Sequence, residues 1–434
     1  MLIRPLLWSA RLTVLLAMAN PCGAAESSDP ARADPTPTDW PAIIARLQQQ
    51  AYDWPGHAQT RRQLAVARNN YGVSLTQQEQ WEPAEREFRE ALRLESANQQ
   101  VLDNFTHMYV QRAHHAYQRH EIREALQALE HATTLNPNFA PAYTLRGEIQ
   151  YYGAQNLKEA KAAWQRAFEL DPTQPGLTEQ LERVTRELPV ESKFERLTQA
   201  YFDVRYEEQL ESPVGFDVRD ALLEARRTIG TDFAYWPKHK MVVLIYSAES
   251  FRALRQDTPE WVKGEFEAQV QGKIRIPLPS AQLHQASVKS ILFHEYTHAL
   301  LHDLTKARCP TWLNEGLAEY EGARYQARSL TRLAAAYQAQ RTIPWRELSE
   351  HFSPTRSVEE IQFAYEQAYS MVSYLVQRYT FWRMRRVLAA IADGTPWEET
   401  TTKEFRASMI RLEQDWRQWL PTMLTKPSNS SATR

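Results

Sequence analysis

His294, Glu295 and His298 stand in the run His-Glu-Tyr-Thr-His. On an α-helix, residues four apart differ by about 40° in azimuth and by one turn in height. Two imidazoles so placed can reach one metal ion, and zinc accepts such nitrogens at about 2.0–2.1 Å. Glu295 is rotated by about 100° from His294, so it can reach a metal-bound water without ligating the metal. Ile291, Leu292, Ala299 and Leu300 give this helix a buried face. Glu315 follows His298 by 17 residues, in the segment Pro310-Thr311-Trp312-Leu313-Asn314-Glu315-Gly316-Leu317-Ala318-Glu319-Tyr320. That distance lets one helix end, a loop turn and a second helix return antiparallel, bringing a carboxylate to the same ion. His294, His298 and Glu315 are therefore the expected ligands of a Zn2+ cofactor. The fourth tetrahedral position stays open to water, as in catalytic sites. His302, one turn past His298, is the alternative third ligand, but one straight helix holds three ligands around an ion poorly. Gly316 is expected to permit close approach at the metal. Glu319 falls on the same face as Glu315, either hydrogen-bonding a ligand histidine from behind or standing as an ordinary helix carboxylate.

The run His294–His298 followed by Trp-Leu-Asn-Glu-Gly-Leu-Ala-Glu-Tyr resembles the gluzincin metallopeptidases. It is most similar to their peptidase MA-like group, often joined to tetratricopeptide repeats. The resemblance spans roughly residues 201–420, with its sharp motifs in about 30 of them. It implies a zincin-like fold, a protein or peptide substrate, His294, His298 and Glu315 as zinc ligands, and Glu295 as general base. The segment Ala364-Tyr365-Glu366-Gln367-Ala368-Tyr369-Ser370-Met371-Val372 is similar to a helix of aminopeptidase-like gluzincins. The resemblance assigns its tyrosine, Tyr365, to stabilising the oxyanion; Tyr369 is the substitute. No Gly-x-Met-Glu-Asn exopeptidase signature lies upstream, which favours an endopeptidase. A metzincin is excluded, because Leu301 and Leu304 stand where it needs a glycine and a third histidine.

Elements upstream and downstream must position these groups. Met241–Tyr246 is a β-rich apolar run, and Val270–Leu278 alternates Ile274 and Ile276 with Lys273 and Arg275, the pattern of a half-buried strand. From Ser287 the pattern is helical, so the region reads as an α+β domain over 201–424. Residues 382–420 are helical and aromatic and cap it. A helical, charged connector is expected over residues 172–213, with 176–200 as the inter-domain segment.

The N-terminal half repeats a small–large–small triplet at helical spacing: Ala84/Phe88/Ala91, Ala125/Leu129/Ala132 and Ala160/Trp164/Ala167. The copies lie 41 and 35 residues apart, the second carrying an insertion of about six residues near His114–His120. Tyr71-Gly72 and Tyr143…Gly147 precede the first and third. This resembles tetratricopeptide repeats over 61–175, an α-helical solenoid; the resemblance implies that its concave face takes a peptide or protein partner, and the alternative is a spacer or a lid on the following domain.

The chain has 434 residues, enough for two domains. Its net charge of -2 gives no footprint for nucleic acid, and two cysteines exclude a disulfide scaffold. Residues 1–25, with Arg4, Arg11, the run Leu12–Ala19 and Ala24-Ala25, read as a secretory signal. Residues 26–60 read as a flexible linker followed by a helix, and 425–434 as a disordered tail. No segment approaches the length of a stable membrane span. The expectation is an exported protein, periplasmic or extracellular: a tetratricopeptide solenoid followed by a zinc metallopeptidase. The alternative is a repeat scaffold whose zinc domain is inactive or structural.

Overall fold

A computed structural model describes residues 39–208, 210, 212–255, 265–267, 273–278, 285–353 and 355–425. The signal, most of the linker and the tail read from the sequence lie outside the described residues. The chain divides into two compact units, one ending at Leu181 and the other running on from Glu182.

The first unit is helical: α1 (Trp40–Asp53), α2 (Ala58–Gln77), α3 (Trp81–Leu94), α4 (Gln99–Gln118), α5 (Ile122–Leu135), α6 (Ala140–Glu148, continued by a π-helical turn Ile149–Gly153) and α7 (Leu157–Leu170), with α8 (Leu177–Glu191) crossing the division. α2 packs on α3, α4 on α5 and α6 on α7. The triplets explain the pairing, because Ala84, Phe88, Ala91, Ala125, Leu129, Ala132, Ala160, Trp164 and Ala167 are all fully buried. Small residues at the crossing let the partner backbone come close. A Cβ on Gly72 would stand 3.0 Å from the Phe88 ring, and one on Gly147 would stand 2.3 Å from the Trp164 indole. Each pair turns through a residue with positive φ that is not glycine: Glu79 (58°), His120 (63°) and Gln155 (56°). The extension expected in the second copy lies in α4, which has 20 residues, and α2 has the same 20. The first two copies thus share the long helix, and the third is the short one.

The second unit opens with a five-stranded sheet: β1 (Phe194–Thr198), β2 (Phe202–Glu207), β3 (Met241–Ser247), β4 (Glu265–Glu267) and β5 (Lys273–Leu278), in the order β1-β2-β3-β5-β4. β2, β3 and β5 are parallel, and β1 and β4 pair antiparallel at the edges. α9 (Ser212–Phe233) joins β2 to β3, and α10 (Ala248–Leu254) follows β3. The remaining helices are α11 (Gln285–Leu304), α12 (Thr311–Gly322), α13 (Thr331–Gln338), α14 (Val358–Ala392, kinked at Thr380), α15 (Trp397–Phe405) and α16 (Met409–Leu424). Val204, Val243, Ile245, Ile274 and Ile276 face one core with α9 and α11. Val242, Leu244 and Tyr246 face a second cluster with Phe251 and Val190. Buried on both faces, β3 reads as a continuous apolar run rather than an alternation.

Two expectations are corrected. The stretch read as a helical connector contains β1 and β2. In β2 the apolar Phe202, Val204 and Tyr206 alternate with Asp203, Arg205 and Glu207 at period two, a strand pattern that no helix face would give, while β1, Phe-Glu-Arg-Leu-Thr, shows no such alternation. β5 is not half-buried, since Lys273 and Arg275 are each 1% exposed. Counter-charges make that burial tolerable: Arg275 is ion-paired with Glu267 of β4 and Glu187 of α8, and Arg255 and Arg183 join the same carboxylates. Among the described residues no helix is long and apolar enough to cross a membrane.

Candidate metal centre

α11 carries His294, Glu295 and His298. It is apolar nearly all round, with Leu292, Phe293, Tyr296, Ala299, Leu300 and Leu301 buried, as befits a helix inside a domain. Lys306 and Ala307, both with positive φ (53° and 60°), end it and turn the chain back. Pro310 then starts α12, which packs along α11. The return delivers Glu315. His294 Nε2 and His298 Nε2 are 3.0 Å apart, and Glu315 Oε2 lies 3.4 Å from the second and 3.9 Å from the first. A tetrahedral zinc with bonds of 2.0–2.1 Å sets its ligand atoms about 3.3 Å apart.

The surroundings orient each ligand. His298 Nδ1 is 3.1 Å from Asn314 Oδ1, and His294 Nδ1 is 3.1 Å from Glu319 Oε1. A proton on each Nδ1, donated outward, leaves both Nε2 lone pairs facing inward. Opposed lone pairs at that distance repel unless a cation or a proton lies between them. Glu315 is fully buried, yet neither of its oxygens has a partner in hydrogen-bond geometry, and neither has Glu295 Oε2. Orphaned buried carboxylate oxygens beside two inward imidazoles fit a bound cation, and the nitrogen–oxygen donor set suits zinc.

The charges follow. Burial pushes the Glu295 carboxyl above the ordinary range, against the pull of His294 and His298. Burial also acts on Glu315, but the nearby His298 and His294 outweigh it and hold the carboxyl down. At half-buried Glu319, burial is outweighed by His294 and Arg328, which hold the carboxyl at about 2. Burial would lower His298, and Glu315 more than reverses this.

Tyr365 comes from α14. Tyr365, Ala368 and Val372 share one face of that helix. A Cβ on Gly316 would stand 2.6 Å from the Ala368 carbonyl oxygen and 2.7 Å from Val372 Cγ2. Gly316 therefore opens α12 to α14, not to the metal as the sequence reading had it. The close helix contact brings the Tyr365 phenol towards the carboxylates. Burial first, then the charges of Glu315, Glu319 and Glu295, push its pKa far above the ordinary phenol value. The ring of Phe352 packs edge-on against it at 5.1 Å.

The structure thus brings together His294, His298 and Glu315, with Glu295, Glu319 and Tyr365 around them. His302 is not in the cluster of possible ligands; its ring lies 5.9 Å from that of Phe266. Two surrounding residues escaped the sequence reading. Asn314 is adjacent to Glu315, and its adjacency was the available signal. Arg328, on Glu319, lies in a loop with no local pattern to mark it.

Residues 239–422 match the family model of the Peptidase MA superfamily. The match supports a peptidase MA-like fold for this region, and a peptidase in general. It covers α11, α12 and α14 and starts after β1, β2 and α9. No curated protein matches the chain.

Proposed function

We propose that the chain is an exported zinc metallopeptidase, an endopeptidase acting on protein substrates. The convergence of His294 Nε2, His298 Nε2 and Glu315 Oε2, all within 4.8 Å of one another, carries the reading. Bound there, zinc would polarise the scissile carbonyl and lower the pKa of water to about 7. His294 and His298 hold their inward nitrogens through Glu319 and Asn314. Glu295, with one oxygen unpartnered and its proton affinity raised by burial, takes the proton from the attacking water and returns it to the leaving amine. The Tyr365 phenol, kept protonated by burial and then by the surrounding carboxylates, donates a hydrogen bond to the oxyanion. The helical unit, with its tetratricopeptide-like pairs, selects or presents the protein substrate.

The test is elemental analysis of the purified chain beside Glu315→Ala, with proteolysis of unfolded protein substrates assayed in parallel. About one zinc per chain, weakened or lost in the variant, and cleavage that a chelator abolishes are expected. A folded chain that takes up no zinc even when it is supplied would sink the reading. Zinc without any hydrolysis would favour the scaffold alternative instead.

A further inference from the structure

Behind His294 runs a line of contacts that the ligand set alone does not require. Glu319 offers one oxygen, Oε1, to His294 Nδ1 at 3.1 Å. Its other oxygen, Oε2, is ion-paired with Arg328 Nε. Arg328 is itself held from a second side. Its Nη1 donates to Ser290 Oγ at 3.0 Å and to the Gln326 carbonyl at 3.3 Å. Ser290 donates its hydroxyl to the Gly322 carbonyl at 2.9 Å. Ser290 precedes His294 by four residues on α11, so the two share a face of that helix. Gly322 ends α12, and a Cβ there would stand 2.2 Å from Arg328 Nη2 and 2.9 Å from the Ser290 carbonyl oxygen. The guanidinium therefore occupies a cradle formed by α11 and α12, the two helices that carry the ligands.

A glutamate touching one histidine nitrogen still turns about its own side-chain bonds. A second contact on the far oxygen removes that freedom. Arginine suits the task, because its planar fork can hold a carboxylate and a hydroxyl at once, whereas a lysine is a single point charge. Arg328 and Glu319 are only 18% and 17% exposed, so water competes weakly for the pair.

We infer that Arg328 is a positioning residue for the metal centre, acting through Glu319 to hold His294 with Nε2 turned towards the ion. The inference rests on the metal reading above. Partners of this kind are worth roughly ten- to a hundredfold in metal affinity.

The experiment measures zinc affinity of the full chain by competition with a chromophoric chelator, for wild type, Arg328→Met, Glu319→Gln and the double variant, with circular dichroism on each. Arg328→Met is expected to weaken zinc binding about tenfold or more. Arg328→Lys, which keeps the charge but not the reach to Ser290, should fall between Arg328→Met and wild type; it carries the same comparison if Arg328→Met does not fold. Because Arg328 acts through Glu319, the double variant should bind no more weakly than Glu319→Gln alone. A zinc-binding wild type with unaffected Arg328 variants, or losses that add in the double variant, would overturn this inference and leave the metal centre standing. A wild type that binds no zinc would overturn both.

Discussion

The two units bury different things. Among the described residues of the helical unit the core is aliphatic and aromatic, rich in alanine and leucine, and the buried polar side chains are neutral apart from Arg68, which pairs with Glu87 at 2.6 Å. Glu148 is partly buried, and its carboxyl is pushed up to about 7 by that burial against a hydrogen bond to Gln180. The second unit buries Glu187, Asp203, Lys273, Arg275, Glu295, His298, Glu315 and Glu321. Buried charge costs stability unless it is paired. Glu295 and Glu315 keep oxygens that no donor among the described residues meets in good hydrogen-bond geometry, although His298 Nε2 stands 3.4 Å from Glu315 Oε2. The first unit is organised for packing; the second also buries charge, both at the candidate metal centre and away from it, as at Lys273, Arg275 and Glu321.

This contrast can be broken at several points. The largest effect belongs to Glu295→Gln, which should lower turnover by about 10²–10⁴ with zinc content unchanged. Retained turnover would remove Glu295 from the chemistry. Next comes Trp164→Ala in the helical unit, which should cost about 3–5 kcal/mol of that unit's stability, read by thermal unfolding. Zinc content should not change with it, and a loss of metal would mean that the two units are not separable in this way.

Glu321 sharpens the comparison within the second unit. Burial pushes its carboxyl up to about 7, against the pull of Arg324, and one oxygen has no hydrogen-bonding partner. The unfolded chain ionises near the ordinary value of 4.5, so it releases this proton first. Stability from this group is then full below 4.5 and is lost as pH rises to about 7. Glu321→Gln should therefore stabilise the protein at pH 8 by about 1–3 kcal/mol, the scale of a buried ionised group relieved, and change little near pH 4. Equal effects at both pH values would refute the assignment. The smallest effect is expected at the turn between α2 and α3. Glu79 has φ of 58°, where a side chain is strained, so Glu79→Gly should gain up to about 1 kcal/mol in denaturant unfolding. A loss there would show that the ion pair of Glu79 with His115, at 3.2 Å, matters more than the backbone.

The sequence by itself determined much of this. Helical spacing of small and large residues marked α3, α5 and α7, because a helix face is a local property of period 3.6. The His-x-x-x-His spacing and the following Asn-Glu-Gly placed three candidate ligands on two helices for the same local reason. Tertiary structure decided the rest. β2 was in fact legible, because Phe202, Val204 and Tyr206 alternate with Asp203, Arg205 and Glu207 at a strand's period of two, whereas the edge strand β1 carries no such alternation. Lys273 and Arg275 looked solvent-facing, since alternation cannot distinguish water from a layer of Glu187 and Glu267 brought in by α8 and β4. Gly316 makes room for α14, a helix about 50 residues downstream, and Arg328 reaches Glu319 only because Gly322 leaves space beside Ser290. The surroundings of Lys273, Arg275, Gly316 and Arg328 depend on contacts between elements distant in the chain, and a local pattern records none of them.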